Sequence, residues 1–231
     1  MTMCCTKTAP LRPYLLLLAL TLACSAPEQK PQKSFIQTKL AERALADTRT
    51  DSFTLLADRG RVLGDPAARV WVTIVSDFQC APCKQWHQDV LPLLRKEYAE
   101  SGRVRLAFVH FPQAEHFNAQ TASIAATCAA HQGKFWEAAD FIFSTQARWM
   151  NLPDARPYLD SVSIAVGVNA APLRLCTERA QALKLIRDDI ERSRSARVDS
   201  LPTFFIGTRR LRGAASIATL RTAINAALAG Q

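Results

Sequence analysis

The most restrictive stretch of the chain is "RVWVTIVSDFQCAPCKQW", residues 69 to 86. Its first seven residues are almost all apolar and mostly β-branched, which predicts a strand buried on both faces. From Pro82 onward, "PCKQWHQDVLPLLRKEYAESG" places Val90, Leu93, Leu94 and Tyr98 at helical spacing. Pro92 should kink that helix, and Gly102 should end it. Cys80 and Cys83 therefore straddle a strand-to-helix junction. Pro82 is tolerated there, because N–H groups in a first helical turn have no intrahelical partner.

That position has chemical consequences. The thiolate is the nucleophile in disulfide exchange. Free N–H groups and the macrodipole at a helix start favour negative charge. Cys80, nearer solvent, should be the low-pKa attacking cysteine. Cys83, about one turn later, should resolve a mixed disulfide formed at Cys80.

The other cysteines bear on this reading. The chain has seven. Cys4 and Cys5 precede "LLLLALTLA", an apolar run too short to span a bilayer core of ~30 Å. With Lys7 and Arg12 ahead of it, the run reads as a secretory signal over residues 1–23. "LTLAC" resembles a bacterial lipobox, which implies a lipid on Cys24 and cleavage just before it. Cleavage after Ala26 and an uncleaved membrane anchor remain open. All three put the domain outside the cytoplasm, where disulfides persist. Ser25 after the lipidated position, with no Asp retention signal, points to the outer membrane in an organism that has one. Residues 24–50 then read as anchor, polar tether and a helix with Ile36, Leu40 and Ala44 on one face.

Cys80, Cys83, Cys128 and Cys176 remain. A four-thiolate zinc or iron–sulfur site usually brings two close pairs, and only one exists here. No metal or other cofactor is expected. A structural Cys80–Cys83 staple would close too small a loop to constrain the unfolded chain. Cys128 and Cys176 form either a second bridge or two buried thiols that pack as small hydrophobes.

Net charge is +9, or +7 once residues 1–23 are removed, leaving 27 basic and 20 acidic residues. That excess suits a basic soluble surface, and no dense basic run with interleaved aromatics points to nucleic acid.

Far downstream, "VDSLPTFFIGTRRLRGA", residues 198 to 214, reads as loop, strand, turn and short strand, with a helix from about Ala215. Pro202 precedes the first strand and is compatible with a cis bond. At this point the chain resembles a known family. "VLGDPAARVWVTIVSDFQCAPCKQWHQDVLP", "GRVRLAFVHFP", "HFNAQTASIAATCAAHQGKFWEAADFIF" and "LPTFFIG" are similar to the DsbA-like branch of the thioredoxin fold, over about residues 52 to 229. The resemblance implies an α/β thioredoxin domain over residues 51–231. It would comprise a βαβ unit, a helical insertion from 114 to about 196, and a ββα unit. It also implies that the loop of Leu201, Pro202 and Thr203 faces the cysteines and pairs with extended substrate.

Two positions depart from that family. Ile74 stands where many relatives carry a buried acid, which leaves Asp77 as the nearest carboxylate. Ala81-Pro82 separates the cysteines, where DsbA enzymes often have Pro-His and thioredoxins have Gly-Pro. Asp77 is a candidate proton relay or a loop cap. His87, on the same helix face as the cysteines, either tunes the thiolate or is an ordinary, partly exposed histidine. His110 should end a strand, with His116 and His131 in the insertion. Trp71, Trp86, Trp136 and Trp149 should be packing residues.

The expected function is an exported thiol:disulfide oxidoreductase that forms disulfides in exported proteins. It would act on thiol-containing exported substrates and be recycled by a membrane or periplasmic redox partner. The alternatives are a membrane-tethered reductase or isomerase, a binding or chaperone module on the same fold, and a metal-delivery protein.

Overall fold

The computed structural model describes residues 52–179 and 181–230. The expected signal, Cys24, tether and N-terminal helix lie outside the described residues.

The chain opens with α1, helical over 52–60, then a two-residue strand β1 (Val62–Leu63). Strand β2 spans Val70–Ser76, one residue later than the sequence pattern places it. Helix α2 (Ala81–Asp89) follows the CxxC, then α3 (Leu91–Leu94) and a π-helical turn at Arg95–Ala99. The break falls at Val90, and Pro92, which has no N–H to continue the ladder, sits in the first turn of α3. Strand β3 (Val104–His110) completes a βαβ unit.

Six helices come next: α4 (Ala119–Ala130), α5 (Phe135–Ser144), α6 (Gln146–Trp149), α7 (Arg156–Ala165), α8 (Ala170–Glu178) and α9 (Leu183–Ser195). The chain then returns as β4 (Thr203–Ile206), β5 (Arg209–Arg212) and α10 (Ile217–Ala229).

The five strands form one sheet, in the order β1-β3-β2-β4-β5. β2 and β3 are parallel, and the remaining pairs are antiparallel. Register matters for the site. Ser76 pairs with His110, and Val75 pairs with Thr203. The loops after β2 and β3 and the loop before β4 therefore leave the same end of the sheet.

The expectation that β2 is buried on both faces needs correction. Val70, Val72 and Ile74 are buried, but Trp71 on the other face is 38% exposed. Covering helices leave that corner open, and the Arg105 guanidinium lies 4.0 Å from the centre of the Trp71 ring. Trp71 is thus a half-covered cation–π partner, while Trp86, Trp136 and Trp149 are buried as expected of packing residues.

The insertion is locked to the sheet by a buried ion pair. Arg61, just after α1, pairs with Asp189 of α9, and both are buried. Asp189 also accepts the His110 N–H at 2.9 Å, and Arg61 donates to the Phe108 carbonyl at 2.9 Å. Gly60 lets α1 approach α4: a Cβ there would lie 2.0 Å from the Ala130 carbonyl oxygen.

Candidate active site

The end of β2 hands the chain to the CxxC through "SDFQ". Cys80 is the N-cap of α2, in extended conformation, and its sulfur accepts the Cys83 N–H at 3.2 Å. That is the position where orphan N–H groups favour an anion. The two thiols have opposite proton affinities. Hydrogen bonding from Cys83, from both its side chain and its backbone, draws the Cys80 thiol below its ordinary value, against burial and the charge of Asp77. Burial pushes the Cys83 thiol far up, and its hydrogen bond and charge interaction with Cys80 add to this. The Ser76 hydroxyl and the Asp77 backbone N–H oppose that rise only in part. Cys80 is 7% exposed and Cys83 is fully buried, so Cys80 is the sulfur nearer solvent.

The preceding loop is braced by the insertion. Gln146 Nε2 donates to the Phe78 carbonyl at 2.8 Å and to the Cys80 carbonyl at 3.3 Å. Gln79 Oε1 accepts the Asn118 N–H at 3.0 Å, and Asn118 in turn donates to the carbonyls of Trp149, Met150 and Leu152. No local sequence signal marks these glutamines and this asparagine, which act across separations of 31 to 68 residues.

Asp77 is fully buried. Its Oδ1 accepts the Gln79 N–H at 2.7 Å, the local capping geometry open to an Asp in a turn. Its carbonyl accepts the Cys80 N–H at 3.2 Å. Its Oδ2 receives the Gln113 N–H at 2.8 Å and His116 Nδ1 at 2.7 Å. The sequence reading missed His116, since the pair is 39 residues apart. The available signal was indirect: His116 lies in the loop after β3, and β3 ends beside β2.

His87 differs from expectation. It is buried rather than partly exposed, because α5 covers it. Its Nε2 lies 2.6 Å from Asp140, its ring packs on Phe143, and Arg95 holds the same carboxylate at 2.7 Å. Burial lowers its proton affinity despite Asp140.

The Leu201–Pro202 peptide is cis. Thr203 is buried, and its hydroxyl donates to the Ser200 carbonyl at 2.7 Å. Because Thr203 pairs with Val75, this loop sits beside the end of β2 that leads to Cys80. Trp86 packs on Phe204 with ring centres 4.7 Å apart and donates to the Ala215 carbonyl at 3.1 Å.

Cys128 of α4 and Cys176 of α8 are joined by a disulfide, with Cα atoms 5.8 Å apart. That leaves two free thiols among the described residues, too few for the four-thiolate metal site considered from the sequence.

Comparison with known proteins places this geometry. The chain is 30% identical over 174 residues to the Na(+)/H(+) antiporter NhaA 1 of Salinispora arenicola, covering 75% of this chain and 25% of that protein. It thus spans about a quarter of the antiporter's length. It is 24% identical over 156 residues to the probable disulfide bond formation protein D of Bacillus anthracis, covering 62% of this chain and 68% of that protein. The crystal structure of Wolbachia pipientis alpha-DsbA1 superposes with a TM-score of 0.65 at 18% identity, covering 74% of this chain and 91% of that one. A family model described as Thioredoxin matches residues 56–226. The chain belongs to the thioredoxin family, and its fold is the DsbA-like one, with a helical unit set between β3 and β4.

Proposed function

We propose that the protein is an extracytoplasmic thiol:disulfide oxidoreductase that works through Cys80 and Cys83 and donates disulfides to exported proteins. The observation that carries this reading is the Cys80 sulfur at the N-cap of α2, its proton affinity lowered while that of Cys83 is raised. The relative that bears the name of a disulfide bond formation protein supports the same chemistry.

The reaction balances as two displacements. A substrate thiolate attacks the Cys80 sulfur of the Cys80–Cys83 disulfide. The S–S bond breaks, and Cys83 leaves with the electron pair and takes up a proton. The second substrate thiolate then attacks the substrate sulfur of the mixed disulfide and expels Cys80 as thiolate. The substrate has lost two electrons and the Cys80–Cys83 pair has gained them. A redox partner outside the cytoplasm restores the disulfide. A low-pKa thiol leaves faster and stabilises the reduced pair, which makes the disulfide a stronger oxidant. Ile74 contributes in the same direction, since no carboxylate stands there to oppose the thiolate.

The cis-Pro202 loop offers backbone of Leu201 to an extended substrate beside Cys80, and Thr203 anchors the loop to β4. Lipid on Cys24 would hold the domain at a membrane. A reductase role is the second reading, favoured by Ala81-Pro82 between the cysteines, closer to the Gly-Pro of thioredoxins.

The test is the equilibrium of the purified protein with glutathione buffers, read by Trp86 fluorescence. An oxidase or isomerase should give about −120 to −180 mV. A value near about −270 mV, as for thioredoxin, assigns the reductase reading instead.

A further inference from the structure

Among the described residues, His116 is the one solvent-reaching side chain on the buried Asp77 carboxylate: its side chain is 27% exposed and that of Asp77 is fully buried. The other two partners of that carboxylate are backbone N–H groups, of Gln79 and Gln113, which cannot change charge or move without moving the loops. An ionised carboxylate can only accept, so His116 Nδ1 carries the shared proton. The 2.7 Å separation is that of a charge-assisted hydrogen bond.

Asp77 in turn reaches both reactive cysteines. Its carbonyl accepts the Cys80 N–H, its N–H donates to the Cys83 sulfur, and its charge opposes the Cys80 thiolate. Among the described residues, Asp77 is the carboxylate that acts electrostatically on Cys80. Glu115, beside His116 in the loop, is exposed to water, which screens it.

We propose that His116 is a positioning residue for exchange at Cys80–Cys83: by binding Asp77 Oδ2, it withdraws part of the carboxylate's charge and fixes the Asp77 backbone, whose carbonyl accepts the Cys80 N–H. This rests on the exchange reading above. The step it serves is the last displacement, in which the second substrate thiolate forms the substrate S–S bond and Cys80 leaves with the electron pair of the broken mixed disulfide. Negative charge then gathers on Cys80, close to Asp77. A carboxylate bound by His116 resists that charge less than a bare one. The tether also crosses the two-part fold, because Asp77 follows β2 and His116 opens the helical insertion.

The test is a thermodynamic cycle on the full domain. His116→Ala should lower the Cys80–Cys83 potential, shifting the glutathione exchange equilibrium about threefold toward the disulfide form, or about 15 mV. The absorbance of the Cys80 thiolate should titrate at higher pH in that variant. Asp77→Asn should shift both readouts the opposite way. His116→Ala made in the Asp77→Asn background should then change neither. His116→Asn keeps a donor near the position of Nδ1 and should recover part of the wild-type potential, which also covers the case of an alanine variant that does not fold. A wild-type potential in His116→Ala, or an equal shift in the Asp77→Asn background, overturns the proposal. A wild-type protein that exchanges no disulfide at all overturns the underlying reading instead, so the two failures are distinguishable.

Discussion

The molecule carries two cysteine pairs in different settings: Cys128 and Cys176 are joined by a disulfide, and Cys80 and Cys83 are free thiols. Cys80 and Cys83 lie three residues apart at a helix start, at the sheet end where three loops converge. Cys128 and Cys176 lie 48 residues apart, in helices α4 and α8 of the insertion. The first pair closes almost no loop, so its bond adds little to folding. Its environment instead lowers the proton affinity of Cys80 and raises that of the buried Cys83. The second pair closes a long loop between buried helical faces and has no helix N-terminus to favour a thiolate. Spacing and local electrostatics, more than the cysteine itself, set the two pairs apart.

The sharpest way to break this comparison is to remove each pair in turn. Cys80→Ala should abolish disulfide exchange, leaving only the background of a dithiothreitol or insulin assay, with the fold intact by circular dichroism. Changing Cys128 and Cys176 together to Ala should leave exchange in place. Activity lost in the second variant, at a temperature where it remains folded, would merge the two roles.

Next in size is the charge pair that binds the insertion to the sheet. Asp189→Ala takes from the buried Arg61 its buried carboxylate and leaves only the exposed Asp58 as partner, which should cost up to about 3–5 kcal/mol in urea unfolding. An effect below about 1 kcal/mol, the range of surface pairs, would contradict the buried assignment. Loss of the Cys128–Cys176 bridge should cost somewhat less, roughly 2–4 kcal/mol for a closed loop of this length. Comparing oxidised protein with the double alanine variant measures it.

A smaller effect should appear with pH. Burial, with the charge of Arg61 adding to it, holds the His110 proton affinity well below its ordinary value, and burial lowers that of His87. Below about pH 6.5 the unfolded chain takes up protons that these folded histidines refuse. Stability is therefore full above that pH and falls as pH drops toward the folded values, by up to about 1.4 kcal/mol per pH unit for each histidine. His110→Phe would sit among Phe78, Phe108 and Phe135 without a titrating ring, and should flatten part of the slope between pH 7.5 and 5. An unchanged slope would remove His110 from this account.

The sequence made some of this legible and hid the rest for physical reasons. The β2–CxxC–α2 unit was readable because every signal in it is local: β-branched periodicity, a proline in the first turn, cysteines one turn apart. The strand pair after Pro202 carried a similar local pattern. Strand β1 did not, being two residues long. The burial of His87 depends on α5, whose Asp140 lies 53 residues away, so its own helix face gave a misleading answer. The exposure of Trp71 depends on where covering helices stop, which strand composition does not encode. His116 and Asp77 meet through strand register and the path of a loop. Asp77 itself was singled out, since its distance from Cys80 in sequence is short; its partner was out of reach.

The central claim is that Cys80, and not Cys83 or the insertion pair, is the sulfur that meets substrate. Its most direct test is trapping. In a Cys83→Ala variant, a substrate attached to Cys80 cannot be released by the neighbouring thiol. Incubated with the mixed disulfide of glutathione and a cysteine-containing peptide, that variant should accumulate an adduct that peptide mapping locates on Cys80. Cys80→Ala should trap nothing under the same conditions. An adduct found on Cys83 in the Cys80→Ala protein, with none on Cys80 in its counterpart, would contradict the account.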